Sequence, residues 1–166
     1  MRTKATWMKN IRFACLIATL AGGCRAESRY SNPTTEDIPR LIQDLKEGDD
    51  ASRAQAAEAL GLLGPNGKAA LPALLVALRD EYELVRQNAL YSIIAIGPDA
   101  TATEALTSSL KDSDNFVRAL SANALGQLGA LARQSVPALR EALHDRDENV
   151  QKEATDALKA ILGTKQ

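Results

Sequence analysis

Side chains able to carry out chemistry are few in this sequence and lie far apart. The chain has one histidine, His144, and two cysteines, Cys15 and Cys24. A single imidazole leaves almost no route to a His-based metal site, and no Ser/His/Asp or Cys/His set has a plausible spacing. His144 stands at the predicted end of a helix, where a cation stabilises the helix dipole. We therefore predict no catalytic residue, no metal and no cofactor, and hence a protein that is not an enzyme.

A second candidate is a set of arginines that returns at one position. Arg53, Arg86 and Arg118 are separated by 33 and 32 residues, and Gln151 follows after another 33. A regular row of arginines could bind anions. Each of the three, however, follows a segment rich in acidic residues. Because carboxylates form strong bidentate pairs with guanidinium groups, we expect these charges to be paired inside the protein.

The charge balance argues against a nucleic-acid partner. Residues 1–23 carry four basic side chains and no acidic one, so residues 24–166 hold 16 basic and 21 acidic side chains, a net charge of −5. Binding to a phosphate backbone depends on clustered lysine and arginine. An acidic body without such a cluster excludes that role as its main task.

The N-terminal residues predict export. A basic segment precedes the apolar run 13–21, and small residues stand directly before Cys24. This order is typical of a secretory signal peptide, here residues 1–23, and nine apolar residues are too few to span a bilayer. The segment 20–24, Leu-Ala-Gly-Gly-Cys, resembles the lipobox of bacterial lipoproteins, although Ala21 stands where leucine is commoner. That resemblance implies lipidation of Cys24 and anchoring to a bacterial membrane. The alternatives are plain cleavage near Gly23, with release into the periplasm, and an uncleaved anchor.

After a polar tether at residues 24–35, one unit of 32 or 33 residues is repeated four times. Its first landmark is Ile38-Pro39-Arg40-Leu41, Leu71-Pro72-Ala73-Leu74, Thr103-Glu104-Ala105-Leu106 and Val136-Pro137-Ala138-Leu139. Its second landmark contains the recurring arginine position, and apolar residues follow helical spacing in both halves. Each unit is therefore predicted to form two helices, with units at about 36–65, 69–98, 102–130 and 134–164 of a domain spanning 36–166. One pair cannot bury its apolar face alone, so we expect the units to stack.

The acidic turn, the Val-Arg pair, the Ala-Leu pair and the terminal glycine together resemble the HEAT repeat, above all the short form found in phycobilisome-lyase-type HEAT proteins. The resemblance covers about residues 36–164 and implies an all-α fold, a right-handed α-solenoid of about four helix pairs. It also implies that Arg53, Arg86 and Arg118 form a structural ladder, each bonded to its own acidic turn and to the adjacent repeat. Gln151 fits an end repeat, and the second helices line the concave face.

The candidate partner-binding residues lie on the second helices, opposite the predicted buried stripe. They form an apolar centre with an amide rim: Tyr91, Ile94, Leu120, Gln87, Asn88, Asn123 and Gln127. Such a composition is typical of a protein-binding patch, although Tyr91 could instead merely cover apolar surface. The leading hypothesis is a non-enzymatic interaction or scaffolding module that binds a protein partner. The alternatives are a subunit of a bilin-lyase-like enzyme and a stabilising subunit of a larger assembly.

Overall fold

The structure is a computed structural model that describes Tyr30 and residues 32–163, so the predicted signal segment and Cys24 lie outside the described residues. Across residues 32–163 all regular structure is helical. The α-helices are α1 (Ile38–Glu47), α2 (Asp50–Leu62), α3 (Leu71–Ala77), α4 (Glu83–Ile96), α5 (Thr103–Ser109), α6 (Asn115–Leu128), α7 (Val136–Ala142) and α8 (Glu148–Leu162). Short 3-10 segments lead into the first helix of each pair. The prediction of an all-α solenoid built from four helix pairs is confirmed.

The helices form two layers with the core between them. In each repeat the first helix packs on the second, and the second helices pack along one another through the stack. One leucine at the same position of each first helix is fully buried in this core: Leu41, Leu74, Leu106 and Leu139. The outward side of the other layer, made by α2, α4, α6 and α8, is called the second-helix face below.

Aspartates begin three of the four second helices. Asp49, Asp114 and Asp147 each accept a hydrogen bond from a backbone N–H in the first turn, which stabilises a helix start by about 1 kcal/mol. Tyr82 stands at this position in α4 and makes no such bond. Its backbone N–H instead donates to Asp80 Oδ1 at 2.9 Å.

The segment before α1 departs from the predicted tether at Tyr30. The Tyr30 side chain is buried, and its hydroxyl donates to Asp44 of α1. The guanidinium carbon of Arg40 lies 5.1 Å from the centre of the Tyr30 ring, a distance at which a cation is attracted to the ring face. An aromatic ring from the predicted tether is thus part of the core and is joined to α1 by Arg40 and Asp44.

Candidate partner-binding site

The recurring arginines lie at the junctions between repeats. Arg86 donates from Nε and Nη2 to the two carboxylate oxygens of Asp112 in the next repeat, at 2.9 and 3.0 Å. Its Nη1 donates to the Asp80 carbonyl of its own acidic turn at 2.9 Å. Arg53 and Arg118 repeat this arrangement one repeat earlier and one repeat later. Each guanidinium therefore joins its own turn to the following repeat.

The positive charges of Arg53, Arg86 and Arg118 are neutralised by aspartates within the protein. The hydrogen bond from Arg118 holds the pKa of Asp145 below its ordinary value. For Asp80, burial alone raises the pKa, but the hydrogen bonds from Arg53 and from the Tyr82 backbone outweigh it and lower the pKa. Gln151 donates to the Asp145 carbonyl at 2.6 Å, so it keeps the contact with its own turn but carries no charge for a partner beyond it. None of the three arginines offers an open guanidinium for an anion.

Side chains of the predicted amide rim also form hydrogen bonds between neighbouring repeats. Three of its side chains bridge neighbouring second helices: Gln87 to Asp114 at 2.6 Å, Asn88 to the Ala54 carbonyl at 2.9 Å and Asn123 to Glu153 at 2.8 Å. Gln127 is exposed and donates to Asn123 within α6 at 3.0 Å. The amide groups are thus accessible at the surface only in part, since their donors are directed between helices.

The apolar centre differs from the expectation at Leu120. The expectation that Leu120 points away from the core is wrong, because its side chain is only 5% exposed. Leu120 is at the register position of Asn88, whose side chain reaches back to the preceding second helix, so Leu120 is directed toward α4. Tyr91 and Ile94 are half-buried and pack against the core.

Glycines control how closely the second helices approach. A Cβ atom added to Gly61 would stand 2.9 Å from Cα of Ser92, and one added to Gly126 would stand 3.0 Å from Cα of Ala157. These contacts bring α2 close to α4 and α6 close to α8. Ile94 has the corresponding position in α4, and there α4 and α6 pack along a shorter stretch. The second helices are therefore packed less closely between the second and third repeats than at the other two junctions.

A cleft of about 330 Å³ lies on the third and fourth repeats, and Tyr91 of the second repeat completes its lining. Side chains from three second helices and the turn before α8 line it: Tyr91, Asn115, Phe116, Ala119, Leu120, Asn123, Asp147, Asn149 and Glu153. The rings of Tyr91 and Phe116 meet at a centroid distance of 5.3 Å with an interplanar angle of 57°, a tilted geometry favoured by aromatic pairs. Burial raises the pKa of the Tyr91 phenol. The structure therefore brings together Tyr91, Leu120 and Asn123 of the predicted patch, whereas Ile94, Gln87, Asn88 and Gln127 are outside the lining.

Six of the nine lining residues are absent from the predicted patch, and Phe116 is the aromatic one among them. Its side chain is 40% exposed although phenylalanine is usually buried. The repeat alignment gave only a weak signal, because the other repeats have Ala51, Leu84 and Asn149 at this position and Leu84 is also exposed, at 44%. What distinguishes Phe116 is its ring contact with Tyr91 in the cleft, which only the structure shows.

Two stretches of the chain, residues 38–126 and residues 103–166, match the sequence profile described as HEAT repeats. The chain belongs to the HEAT-repeat family. No curated protein matches the chain in a sequence search.

Solved structures share the HEAT-repeat fold with this chain. An engineered protein from the Northeast Structural Genomics Consortium is 22% identical with a TM-score of 0.64, covering 77% of this chain and 63% of that one. A second engineered protein from the consortium is 22% identical with a TM-score of 0.61, over 81% of this chain and 42% of its own. One chain in the complex of CpcE and CpcF of phycocyanin lyase from Nostoc sp. PCC7120 is 22% identical to this chain. The match has a TM-score of 0.59 and covers 80% of this chain and 82% of that one. At this identity the likeness shows the fold alone.

Between Tyr30 and Gly163, no group of three or more His, Cys, Asp and Glu side chains is placed to hold a metal ion. Over the same described residues, no helix has both the length and the apolar character needed to cross a bilayer. His144 is exposed in the turn that follows α7.

Proposed function

We propose that this HEAT-repeat protein is a non-enzymatic scaffold that binds a protein partner in the cleft between α4, α6 and α8. HEAT repeats suggest an interaction scaffold, because stacked repeats create extended surfaces for binding. The observation that carries the proposal is the aromatic pair in the cleft lining, in which the half-buried Tyr91 contacts the exposed Phe116.

The exposure of Phe116 favours a role in binding over a role in packing. A side chain that stays 40% exposed after folding has apolar area left for a partner to cover. Interfaces concentrate their binding energy in a few aromatic or arginine residues that fill desolvated pockets. The pair of Tyr91 and Phe116 provides such an anchor at the middle of the stack, with two repeats on either side.

Site-specific photo-crosslinking in the native cells tests this proposal. A photoreactive phenylalanine analogue at position 116 is expected to give one discrete adduct, because the partner lies over the cleft. The same analogue at position 76 is the matched control, since Val76 is 71% exposed on α3 in the other layer. The Tyr91→Ala change should abolish the adduct at position 116. Equal adducts at both positions, or none at position 116, would contradict the cleft as the binding site.

We further propose that Cys24 is lipidated and that the protein is exported and held at a bacterial membrane. The support is the sequence order of basic segment, apolar run and small residues before Cys24. Intact-mass analysis of the mature protein should show an acylated N-terminal cysteine, and Cys24→Ala should leave the precursor uncleaved or move the protein to the soluble fraction. An unmodified Cys24 at the mature N-terminus would refute the lipid anchor and leave simple export.

A second candidate function is a subunit of a larger assembly, such as a lyase of the bilin type. The observation in its favour is that one of the similar solved structures is a complex of two proteins of a phycocyanin lyase. A subunit of this kind would unfold or aggregate without its partner, whereas a free-standing scaffold keeps its helical circular dichroism and melts cooperatively when purified alone.

A further inference from the structure

We propose that the cleft receives a long basic side chain, arginine or lysine, presented by a segment of the protein partner. This inference rests on the proposed function, because it names the chemistry of the partner at the same cleft. Its basis is the combination of an aromatic wall with a floor of carboxylates.

The charged residues in the cleft lining are both acidic. Asp147 and Glu153 face the cleft from the start and the second turn of α8. Hydrogen bonds from the Asn115 side chain, and from the backbone of Asn149 and Val150, hold the pKa of Asp147 low against burial, so the carboxylate stays ionised at neutral pH. Glu153 is held in place by the Asn123 amide at 2.8 Å through one of its oxygens. The negative charge is thus fixed in position before a partner arrives.

The aromatic wall matches the rest of a basic side chain. Lysine and arginine carry apolar stems that lie along apolar surface while the charged group stays polar. Tyr91 and Phe116 both line the cleft and provide apolar surface for such a stem, and a cation near an aromatic ring gains further stabilisation. A purely apolar side chain would remove water from the two carboxylates without adding a positive charge, which is costly even though each keeps hydrogen bonds within the protein.

The protein itself shows that Glu153 accepts an ammonium group. Nζ of Lys152 lies 3.0 Å from Oε1 of Glu153, the oxygen that Asn123 does not use. The Lys152 side chain is 68% exposed, so this contact is weak and exchangeable. A basic side chain from a partner would compete with Lys152 for this oxygen, and removal of Lys152 should therefore strengthen binding.

A positional-scanning peptide library tests the inference on the full-length chain. Each sub-library has random flanks and one fixed central residue: arginine, lysine, citrulline, leucine or glutamate. We expect the arginine and lysine sub-libraries to bind best. If leucine binds best, or if no sub-library binds although position 116 crosslinks, the inference is wrong and the proposed function stands. If neither binding nor crosslinking occurs, both fail.

Variants of the acidic residues then test which carboxylate binds the basic side chain of the peptide. With the best arginine peptide, Glu153→Gln should lower affinity about tenfold, since a hydrogen-bonded charge is lost. Asp156→Asn removes one charge from the same helix outside the cleft lining and should change affinity less than about twofold. Replacing the peptide arginine by neutral citrulline should cost about tenfold against the wild type but little against Glu153→Gln.

Replacing Lys152 should change the affinity for the peptide in the opposite direction. Lys152→Gln should raise the affinity for the arginine peptide about threefold, because it removes the competing ammonium, whereas Lys159→Gln should leave it unchanged. Glu153→Gln keeps an acceptor for Asn123, and unchanged helical circular dichroism will show that the fold is intact. Equal effects of Glu153→Gln and Asp156→Asn, or weaker binding by Lys152→Gln, would overturn the assignment.

Discussion

Removing Arg118 should uncouple the third and fourth repeats. Its guanidinium donates to both carboxylate oxygens of Asp145 at 2.8 Å, and to the carbonyls of Asp112 and Ser113 at 3.0 and 3.1 Å. The Arg118→Ala change leaves all of these acceptors without their donor. We expect the free energy of unfolding to fall by about 3 kcal/mol.

The degree of burial sets this magnitude. Exposed ion pairs contribute about 0 to 1 kcal/mol, whereas removal of one partner from a buried pair costs about 3 to 5 kcal/mol. The side chains of Arg118 and Asp145 are 6% and 13% exposed. Asp145 also keeps a hydrogen bond from the Asp147 backbone at 2.9 Å. The loss should therefore fall at the lower end of the range for buried pairs.

Two matched variants calibrate the result. Lys111 and Glu141 also connect the third and fourth repeats, at 3.5 Å, but their side chains are 74% and 69% exposed. Lys111→Ala should therefore cost less than about 1 kcal/mol. Arg118→Lys should give an intermediate loss, because one ammonium cannot reproduce the bidentate contact with Asp145.

Urea unfolding followed by circular dichroism at several pH values provides the assay. The pKa of Asp145 is lower in the folded protein than in the unfolded chain, chiefly through the hydrogen bond from Arg118. Its stabilisation is therefore present above about pH 4 and is lost as the pH falls through the folded-state pKa. The difference between wild type and Arg118→Ala should shrink below about pH 4. A loss equal to that of Lys111→Ala, or one independent of pH, would refute the ladder as a buried ionic tie.

Three further changes test packing, capping and the cleft by the same unfolding assay. Gly61→Ala should destabilise by about 2 kcal/mol although alanine favours helices, because its Cβ would collide with Ser92 of α4; a net gain in stability would contradict the close approach. Tyr82→Asp should stabilise by about 1 kcal/mol by supplying the missing helix cap, and no change would show that Asp80 already compensates. Phe116→Ala should cost about 1 kcal/mol, whereas Leu125→Ala in the core should cost about 3 kcal/mol; equal losses would assign Phe116 to packing.

Local patterns in the sequence were sufficient for the fold and for the internal character of the ladder. The repeat period sets which face of each helix is apolar, and it places an aspartate before most second helices. Arg86 and Asp112 recur with that period, so the carboxylate that follows each arginine by one repeat is brought to it by stacking alone. Features that depend on a repeated unit can be read from one chain, because each copy provides an independent observation of the same local interactions.

The tertiary structure alone decided the features that break the repeat. The burial of Tyr30 and Leu120, and the cleft beside Phe116, depend on pairs of side chains that face each other across helices. Helical periodicity states the direction of a side chain but not the distance to the neighbouring helix. That distance is set by the volume at the contact, here a glycine at two junctions and Ile94 at the third. The sequence therefore determined the architecture, whereas packing between unequal repeats determined how closely neighbouring second helices approach and which side chains line the cleft.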